Sequence, residues 1–179
     1  MTPDEVIAVW LEAGESHWFT KDAVFDGMLS VRFGASLREA RLGSFDHWTA
    51  TARGSLGLVL LLDQVSRNIH RNSALAFAGD AKALQVAKAS VARGDHQSMP
   101  PPLAMWFVMP FEHAEDLDCQ ERAVSLFTVM GLGAMVHWAK VHRDIIARFG
   151  RFPHRNAVLG RTSSPQERAY LENGRRFGQ

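Results

Sequence analysis

Cysteine is almost absent from this chain, since Cys119 is the single one among 179 residues. One thiol cannot form an internal disulfide or supply a cysteine-rich zinc cage, so both of those scaffold classes are excluded. A charge excess of either sign is also missing, because 20 Lys+Arg stand against 19 Asp+Glu and the formal net charge is +1. Non-specific nucleic-acid binders and anionic-membrane binders depend on such an excess, so we expect neither nucleic acid nor a membrane as a partner.

Long hydrophobic runs are missing as well. The longest apolar run, Leu56 to Leu62, ends at Asp63, whereas about 20 residues are needed to span a bilayer. The acidic N-terminus, Met1 to Glu5, lacks the basic and apolar regions of a secretory signal, and we predict a cytoplasmic protein. The composition, 46% hydrophobic and 22% charged, is ordinary for a globular protein, and the length predicts one domain over residues 1–179.

Strand signals are missing too, since no segment shows sustained period-two alternation and no Asn-Gly or Asp-Gly turn joins apolar runs. Apolar residues recur instead near a period of 3.6, which predicts helices. The fold class is therefore all-α. Short connections favour antiparallel neighbours, so we expect helical hairpins packed as a bundle or a short superhelix.

Cap residues predict where the helices begin and end. Thr2-Pro3-Asp4-Glu5 reads as a capping box, and its helix should end at Gly14. Ser164-Pro165-Gln166-Glu167 repeats that pattern at the start of the last helix. Between them, the periodicity predicts helices over residues 21–42, 46–69, 74–92 and 103–109, and one long helix from a cap at Asp118 to about Phe149.

The first group of candidate site residues follows the apolar run. It consists of Asp63, Gln64, Arg67, Asn68 and Arg71. Spacings of four place Asp63, Arg67 and Arg71 on one ridge of the predicted helix. Two interpretations stay open: a buried ion pair that fixes how this helix docks, or arginines that reach a cleft and bind an anionic group.

The second group is the segment from Pro110 to Asp116, where four ionisable side chains fall within five positions. Carboxylates beside a histidine can act as an acid–base pair, so Glu112 and His113 are candidate catalytic residues. The spacing matches no standard ligand motif, and we predict no metal site. The alternative is a solvated acidic turn that pairs with the basic C-terminal region.

The third group is the cationic loop after residue 149. Its candidate ligand-binding residues are Arg151, His154, Arg155, Asn156 and Arg161. The loop leads into the N-terminus of the last helix, where backbone N–H groups could join the arginines in holding phosphate or carboxylate. Equally open is a structural role in which these arginines pair with Glu112, Glu115 and Asp116.

His142 completes the candidates. The helical period places it on a stripe that should face the core, where a histidine is commonly a satisfied buried group. If His142 also borders the arginine loop, it is the best general-base candidate.

Several motifs in order resemble the bacterial family catalogued as domain of unknown function 924. They are Trp18-Phe19, Asp63-Gln64-x-x-Arg67-Asn68-x-x-Arg71, Phe77-Ala78-x-Asp80, Pro110-Phe111-Glu112-His113-x-Glu115, Gln120-Glu121 and the segment 149–161. The resemblance covers nearly the whole chain and implies an all-helical, tetratricopeptide-repeat-like arrangement, with no established activity, cofactor or substrate. The family usually has Phe-Pro where Val65-Ser66 stands here, and an aromatic residue where His70 stands.

These observations lead to two functional hypotheses. The first is a pocket, lined by the three groups, that binds a small phosphate- or carboxylate-bearing molecule and performs hydrolase-type chemistry, with Glu112 or a histidine as the base. The second is a tetratricopeptide-repeat-like scaffold that holds a peptide or protein partner in a groove. The sequence identifies no cofactor and predicts no oligomeric state.

Overall fold

The computed structural model describes residues 1–173 and contains eleven α-helices in that range. They are α1 (Pro3–Ala13), α2 (Glu15–Trp18), α3 (Ala23–Leu42), α4 (Ala52–Val59), α5 (Ser66–Ile69), α6 (Asp80–Arg93), α7 (Pro101–Ala104), α8 (Met109–Glu112), α9 (Leu117–Val129), α10 (Gly133–Phe149) and α11 (Pro165–Asn173). No residue from 1 to 173 lies in a strand, and the all-α class is confirmed. The single domain and the tetratricopeptide-like arrangement stay predictions, and residues 174–179 of that domain lie outside the described residues.

The predicted caps hold at both ends of the described chain. In α1, the Thr2 N–H donates to Glu5 at 2.6 Å, and the Glu5 N–H donates to the Thr2 hydroxyl at 3.3 Å. The same reciprocal pair joins Ser164 and Glu167 at 2.7 and 3.2 Å. Both helices therefore begin where the side chains satisfy backbone N–H groups that no helical partner could reach.

The prediction of one continuous helix over residues 46–69 is wrong at the start of this segment and in its middle. Residues Asp46–Ala50 form a 3-10 helix, and Thr51 adopts extended backbone, with its hydroxyl accepting from the Gly54 N–H at 3.0 Å. This hydroxyl cap starts α4 afresh. After α4, a π-helical turn over Leu60–Val65 leads into α5. Such turns are uncommon and occur often at functional sites.

The single long helix predicted from Asp118 to Phe149 is also wrong. The cap is Asp116, whose carboxylate accepts from the Cys119 N–H at 2.8 Å, and the helix ends at Val129. Gly131 has a φ of 71°, a left-handed conformation that interrupts the helix and that glycine adopts without strain. The chain then reverses into α10, and α9 and α10 pack together as a helical hairpin.

Two further boundaries differ from the predictions. The segment predicted as a helix over 74–92 begins with the 3-10 helix Ala74–Phe77, and α6 starts only at Asp80. The segment predicted over 103–109 comprises α7, the 3-10 helix Met105–Phe107 and the start of α8. Pro110 lies in the first turn of α8, where a missing N–H costs no helical hydrogen bond.

The apolar run at Leu56–Leu62 lies at the centre of the core, and its side chains are fully buried. Gly57 contacts α1 so closely that a Cβ atom there would lie 2.7 Å from the Pro3 Cβ. A small second cluster of Ile145, Ile146 and Phe152 packs beside the C-terminal region. The polar residues that follow the central run are therefore carried to the edge of the core, where a cleft opens.

Candidate functional site

We call the continuous stretch of α4, the π turn and α5, residues 52–69, the central helix. A cleft of about 320 Å³ lies beside its C-terminal end. Four stretches of chain form its walls: α2 with the loop after it, the π turn with α5, α8, and α10. The lining residues, in that order, are Trp18, Phe19 and Thr20; Gln64, Arg67, Asn68 and Arg71; Met109, Glu112 and His113; and Met135, Trp138 and His142. Aromatic and ionisable side chains thus share one small cavity, which is the usual composition of a small-molecule site.

Asp63 lies in the π turn directly behind this wall and is completely buried. Its carboxylate accepts from the Gln64 amide at 2.5 Å and contacts the Arg67 guanidinium at 2.9 Å. Burial alone would raise the pKa of the Asp63 carboxyl, but Arg67 and the hydrogen bonds outweigh burial and lower the pKa to about 2. Asp63 is therefore an ionised carboxylate near neutral pH.

His113 is held by that carboxylate. Its Nδ1 lies 2.8 and 3.0 Å from the two Asp63 oxygens. Burial and the nearby Arg67 charge lower the pKa of His113, so the ring is neutral near pH 7 and Nδ1 donates to Asp63. The other ring nitrogen, Nε2, is then the basic atom, and it has no hydrogen-bond partner among residues 1–173.

A second histidine–carboxylate pair lies next to the first. The Nδ1 of His142 lies 2.8 Å from the Glu112 Oε1 and 2.9 Å from the Trp138 carbonyl oxygen, and both of these atoms are acceptors. Nδ1 of His142 is therefore the donor. The rings of His113 and His142 have centroids 6.4 Å apart. Two imidazoles, each oriented by a buried carboxylate, thus line the same cavity.

Arg67 connects this pair of histidines to a deeper ion network. Its two terminal nitrogens bind the Asp80 carboxylate in a bidentate fashion at 3.0 Å each, and Nη1 also donates to the Asp63 carbonyl at 2.9 Å. Burial lowers the pKa of Arg67, but Asp63 and Asp80 outweigh it, so that its pKa is raised. Arg67 is a fixed, permanently charged part of the wall.

Arg155 lies on the far side of Asp80 and is also buried. Its guanidinium lies between the Phe77 and Phe152 rings, 4.6 and 4.5 Å from their centroids, and 3.5 Å from an Asp80 oxygen. Burial and the Arg67 charge lower the pKa of Arg155 to about 10. Arg155 therefore supports the network from behind and is absent from the cleft lining.

Arg71 binds the other end of the wall to α3. Its Nε donates to an Asp26 oxygen at 2.6 Å, and the Asn68 amide donates to the second Asp26 oxygen at 2.8 Å. Nη2 of Arg71 also donates to the Thr20 carbonyl at 3.1 Å. Arg71 thus connects the loop after α2, which carries Phe19 and Thr20, to the rest of the cleft.

The charges around the cleft nearly cancel. Within residues 1–173, the ion pairs described above contain three guanidinium groups, those of Arg67, Arg71 and Arg155. They contain four carboxylates, those of Asp26, Asp63, Asp80 and Glu112. The arginines at this site are therefore matched by carboxylates, unlike those of an open phosphate site.

The structure brings together seven of the predicted site residues in the cleft lining: Gln64, Arg67, Asn68, Arg71, Glu112, His113 and His142. Asp63 lies behind them. Arg71 does not continue the predicted ridge from Asp63, because α5 ends at Ile69 and Arg71 pairs with Asp26.

The C-terminal candidates lie elsewhere. Arg151 binds Glu167 in a bidentate fashion at 2.6 and 2.8 Å, and Arg161 binds Glu115 at 2.8 Å. The Asn156 amide donates to the Ser163 hydroxyl at 3.1 Å. None of these three side chains lines the cleft, and neither does His154 or Arg155. The pairing of Arg161 with the acidic turn is one of the two alternatives that the sequence left open.

Sequence reasoning missed the residues that complete the site. Asp80 and Trp18 lie in motifs that carried the family resemblance, so a signal existed for them without a role. Asp26, which holds Arg71 and Asn68, had no signal, because its partners lie 45 and 42 positions away along the chain. Met135 and Trp138 lie on the same helical stripe as His142, and the sequence predicted that this stripe faces the core. Nothing in the sequence therefore distinguished them from core residues.

Within residues 1–173, no group of three or more His, Cys, Asp or Glu side chains is arranged to hold a metal ion. The helices of this part of the chain include none that is both long and apolar enough to cross a membrane.

Comparison with known proteins identifies the family. Residues 6–175 match the family described as a bacterial protein of unknown function, DUF924, and the chain belongs to this family. A solved structure of a protein of unknown function, ATU0120 from Agrobacterium tumefaciens, is 42% identical to the chain, with a TM-score of 0.92. The match covers 96% of this chain and 97% of that one. Comparison with curated proteins gave no match.

Proposed function

We propose that this member of the DUF924 family is an enzyme that binds a small, partly apolar molecule in the cleft and transfers a proton through His113. Hydrolysis is the reaction class that these groups favour, with His113 activating water or a substrate hydroxyl. Its cytoplasmic location stays a prediction from the sequence.

One observation carries this proposal: the hydrogen bond from His113 Nδ1 to the buried, ionised Asp63 carboxylate. A carboxylate on Nδ1 fixes the tautomer, orients the ring and stabilises the imidazolium that forms when Nε2 accepts a proton. A neutral histidine is required for this role, and burial keeps His113 neutral. The neighbouring His142–Glu112 pair offers a second group for returning the proton.

The other walls suggest the shape of the substrate. Trp18, Met109 and Trp138 provide apolar contact, while Arg67 and Arg71 provide positive charge on one side. A phosphate or carboxylate group of the substrate would bind on that side. Because carboxylates already match these arginines, the proposal favours one such group and disfavours a polyphosphate chain.

The test is a thermal-shift screen with carboxylates, sugar phosphates and nucleotides, followed by a turnover assay on each compound that stabilises the protein. A ligand at about 100 times its dissociation constant adds about 2.7 kcal/mol to the free energy of unfolding. We expect His113→Gln to keep most of the binding and to reduce turnover by about 100-fold or more.

The matched control is His96→Gln, since His96 is a partly buried histidine outside the cleft lining. Turnover that survives in the His113 variant would overturn the catalytic role. If no compound stabilises the protein and one protein partner copurifies in stoichiometric amount, the scaffold hypothesis replaces this one.

A further inference from the structure

Only one of the two carboxylate oxygens of Glu112 accepts a hydrogen bond from the described residues. Its Oε1 accepts from His142 Nδ1 at 2.8 Å, whereas Oε2 is buried and has no hydrogen-bond partner within residues 1–173. The residue is 2% exposed and belongs to the cleft wall. Buried polar atoms are almost always satisfied in folded proteins, so an unpaired carboxylate oxygen at a cavity indicates a missing donor.

In the part of the chain that the structure describes, the nearby arginines do not supply that donor. Arg67 is directed to Asp63 and Asp80, and Arg71 is directed to Asp26. Among residues 1–173, Glu112 forms no ion pair with an arginine or a lysine, and its partner is the His142 ring. A positive group that enters the cleft therefore improves the local charge balance.

The aromatic walls suit the same kind of group. Trp18, Phe19 and Trp138 line the cavity together with Glu112. The faces of aromatic rings attract ammonium groups, and tryptophan does so most strongly. A carboxylate acceptor beside aromatic rings is the usual environment of a bound amine.

We propose that the ligand of this cleft carries a protonated amine, which donates to Glu112 and packs among the tryptophan rings. This inference rests on the proposed function, because it assigns chemistry to the molecule bound in that same cleft. Together with an anionic group on the side of Arg67 and Arg71, it describes a small zwitterion with an apolar body, of the chemical class of amino acids and dipeptides.

The test uses three matched sets of probes. They are the twenty protein amino acids, the same compounds N-acetylated, and the amines that remain when the carboxylate is removed. Binding is measured by thermal shift and then by calorimetry for each compound that stabilises the protein. Free amines should stabilise the protein, and N-acetylation should weaken binding by at least about tenfold, since hydrogen bonds to charged groups have that magnitude.

Glu112→Gln and Glu115→Gln form a matched pair of variants. Glutamine at position 112 retains one oxygen that can accept from His142 and removes the negative charge. Glu115 lies three residues away, outside the cleft lining, and pairs with Arg161. We expect affinity for the amine to fall about tenfold or more in the Glu112 variant and to stay unchanged in the Glu115 variant.

The outcomes separate this inference from the proposed function. Equal binding of amines and N-acetyl compounds, or unchanged amine binding in the Glu112 variant, overturns the amine. Binding of carboxylates or phosphates without any amine overturns it too, while the small-molecule cleft survives. If no compound of these three sets stabilises the protein, the amine fails, and the proposed function fails with it only when the sugar phosphates and nucleotides of its own screen are silent too.

Discussion

Two arginine-rich regions of this protein have different surroundings. Arg151 and Arg161 follow α10 and bind Glu167 and Glu115 near the surface. Arg67 lies at the end of the central helix, where its side chain is 10% exposed against 34% for Arg151. The first region uses its charges to connect its loop with α11 and with the turn after α8, whereas the second borders a cavity. Position relative to the core therefore distinguishes a structural arginine from one that can meet a ligand.

Removing the buried carboxylate should have the largest effect. Asp63→Asn removes the negative charge that balances the buried Arg67 and accepts from His113, and we expect a loss of about 3 kcal/mol in the free energy of unfolding. Glu167→Gln should cost clearly less, because solvent screens Arg151 at the surface. Urea unfolding of both variants measures the difference. Equal losses would break the distinction between the two regions.

The pH dependence of the free energy of unfolding tests whether the His154 side chain, which lies outside the cleft lining, is buried. Burial, the Arg155 charge and other positive groups lower the pKa of His154 to about 3. As the pH falls below about 6.5, His154 becomes protonated in the unfolded chain but stays neutral in the folded chain. The free energy of unfolding therefore decreases by about 1.4 kcal/mol per pH unit. We expect His154→Gln to reduce this slope by that amount between about pH 5.5 and pH 4.5. An unchanged slope would show that His154 is solvated.

Substitutions of the arginines in the two regions should also differ in their effect on ligand affinity. Arg71→Gln removes a positive charge from the cleft wall and should weaken binding of an anion-bearing ligand by about tenfold or more. Arg151→Gln should leave the affinity unchanged, since Arg151 lies outside the lining. Calorimetry on both variants checks this expectation. A loss of affinity in the Arg151 variant would show that the C-terminal loop contributes to ligand binding.

The smallest expected effect concerns the cap of α11. Ser164→Ala removes the hydroxyl that accepts from the Glu167 N–H, and such caps contribute about 1 kcal/mol. Thermal unfolding should show this loss, while ligand affinity stays unchanged. Reduced affinity would connect the C-terminal region with the cleft.

The sequence predicted those features that depend on neighbours along the chain. The capping box of Thr2 and Glu5 and the end of that helix at Gly14 are local arrangements, and both are confirmed. The interruption at Gly131 was missed because glycine is tolerated inside helices as well as in turns. The resemblance to the family extended this local reasoning over the chain, and the family is confirmed.

The candidate site could be predicted only in part. The polar motifs gave six residues of the cleft lining, and the helical stripe of the later helix added His142. Which arginine meets the cavity depended on distant partners: Asp26 for Arg71 and Glu167 for Arg151. Ion pairs between residues far apart in sequence leave no periodic pattern, so spacing could not identify them.

The π turn over Leu60–Val65 changes the direction in which side chains point around the central helix, although the helical backbone continues through the turn. Its hydrogen bonds span five residues where those of an α-helix span four, so each side chain after it is rotated relative to the uninterrupted helical phase. Residues 54–59, directly before the turn, are all buried, whereas the polar lining begins within the turn at Gln64 and continues after it. One residue corresponds to about 100° of helical rotation, so the phase of the polar segment is as much a part of the site as its residue types.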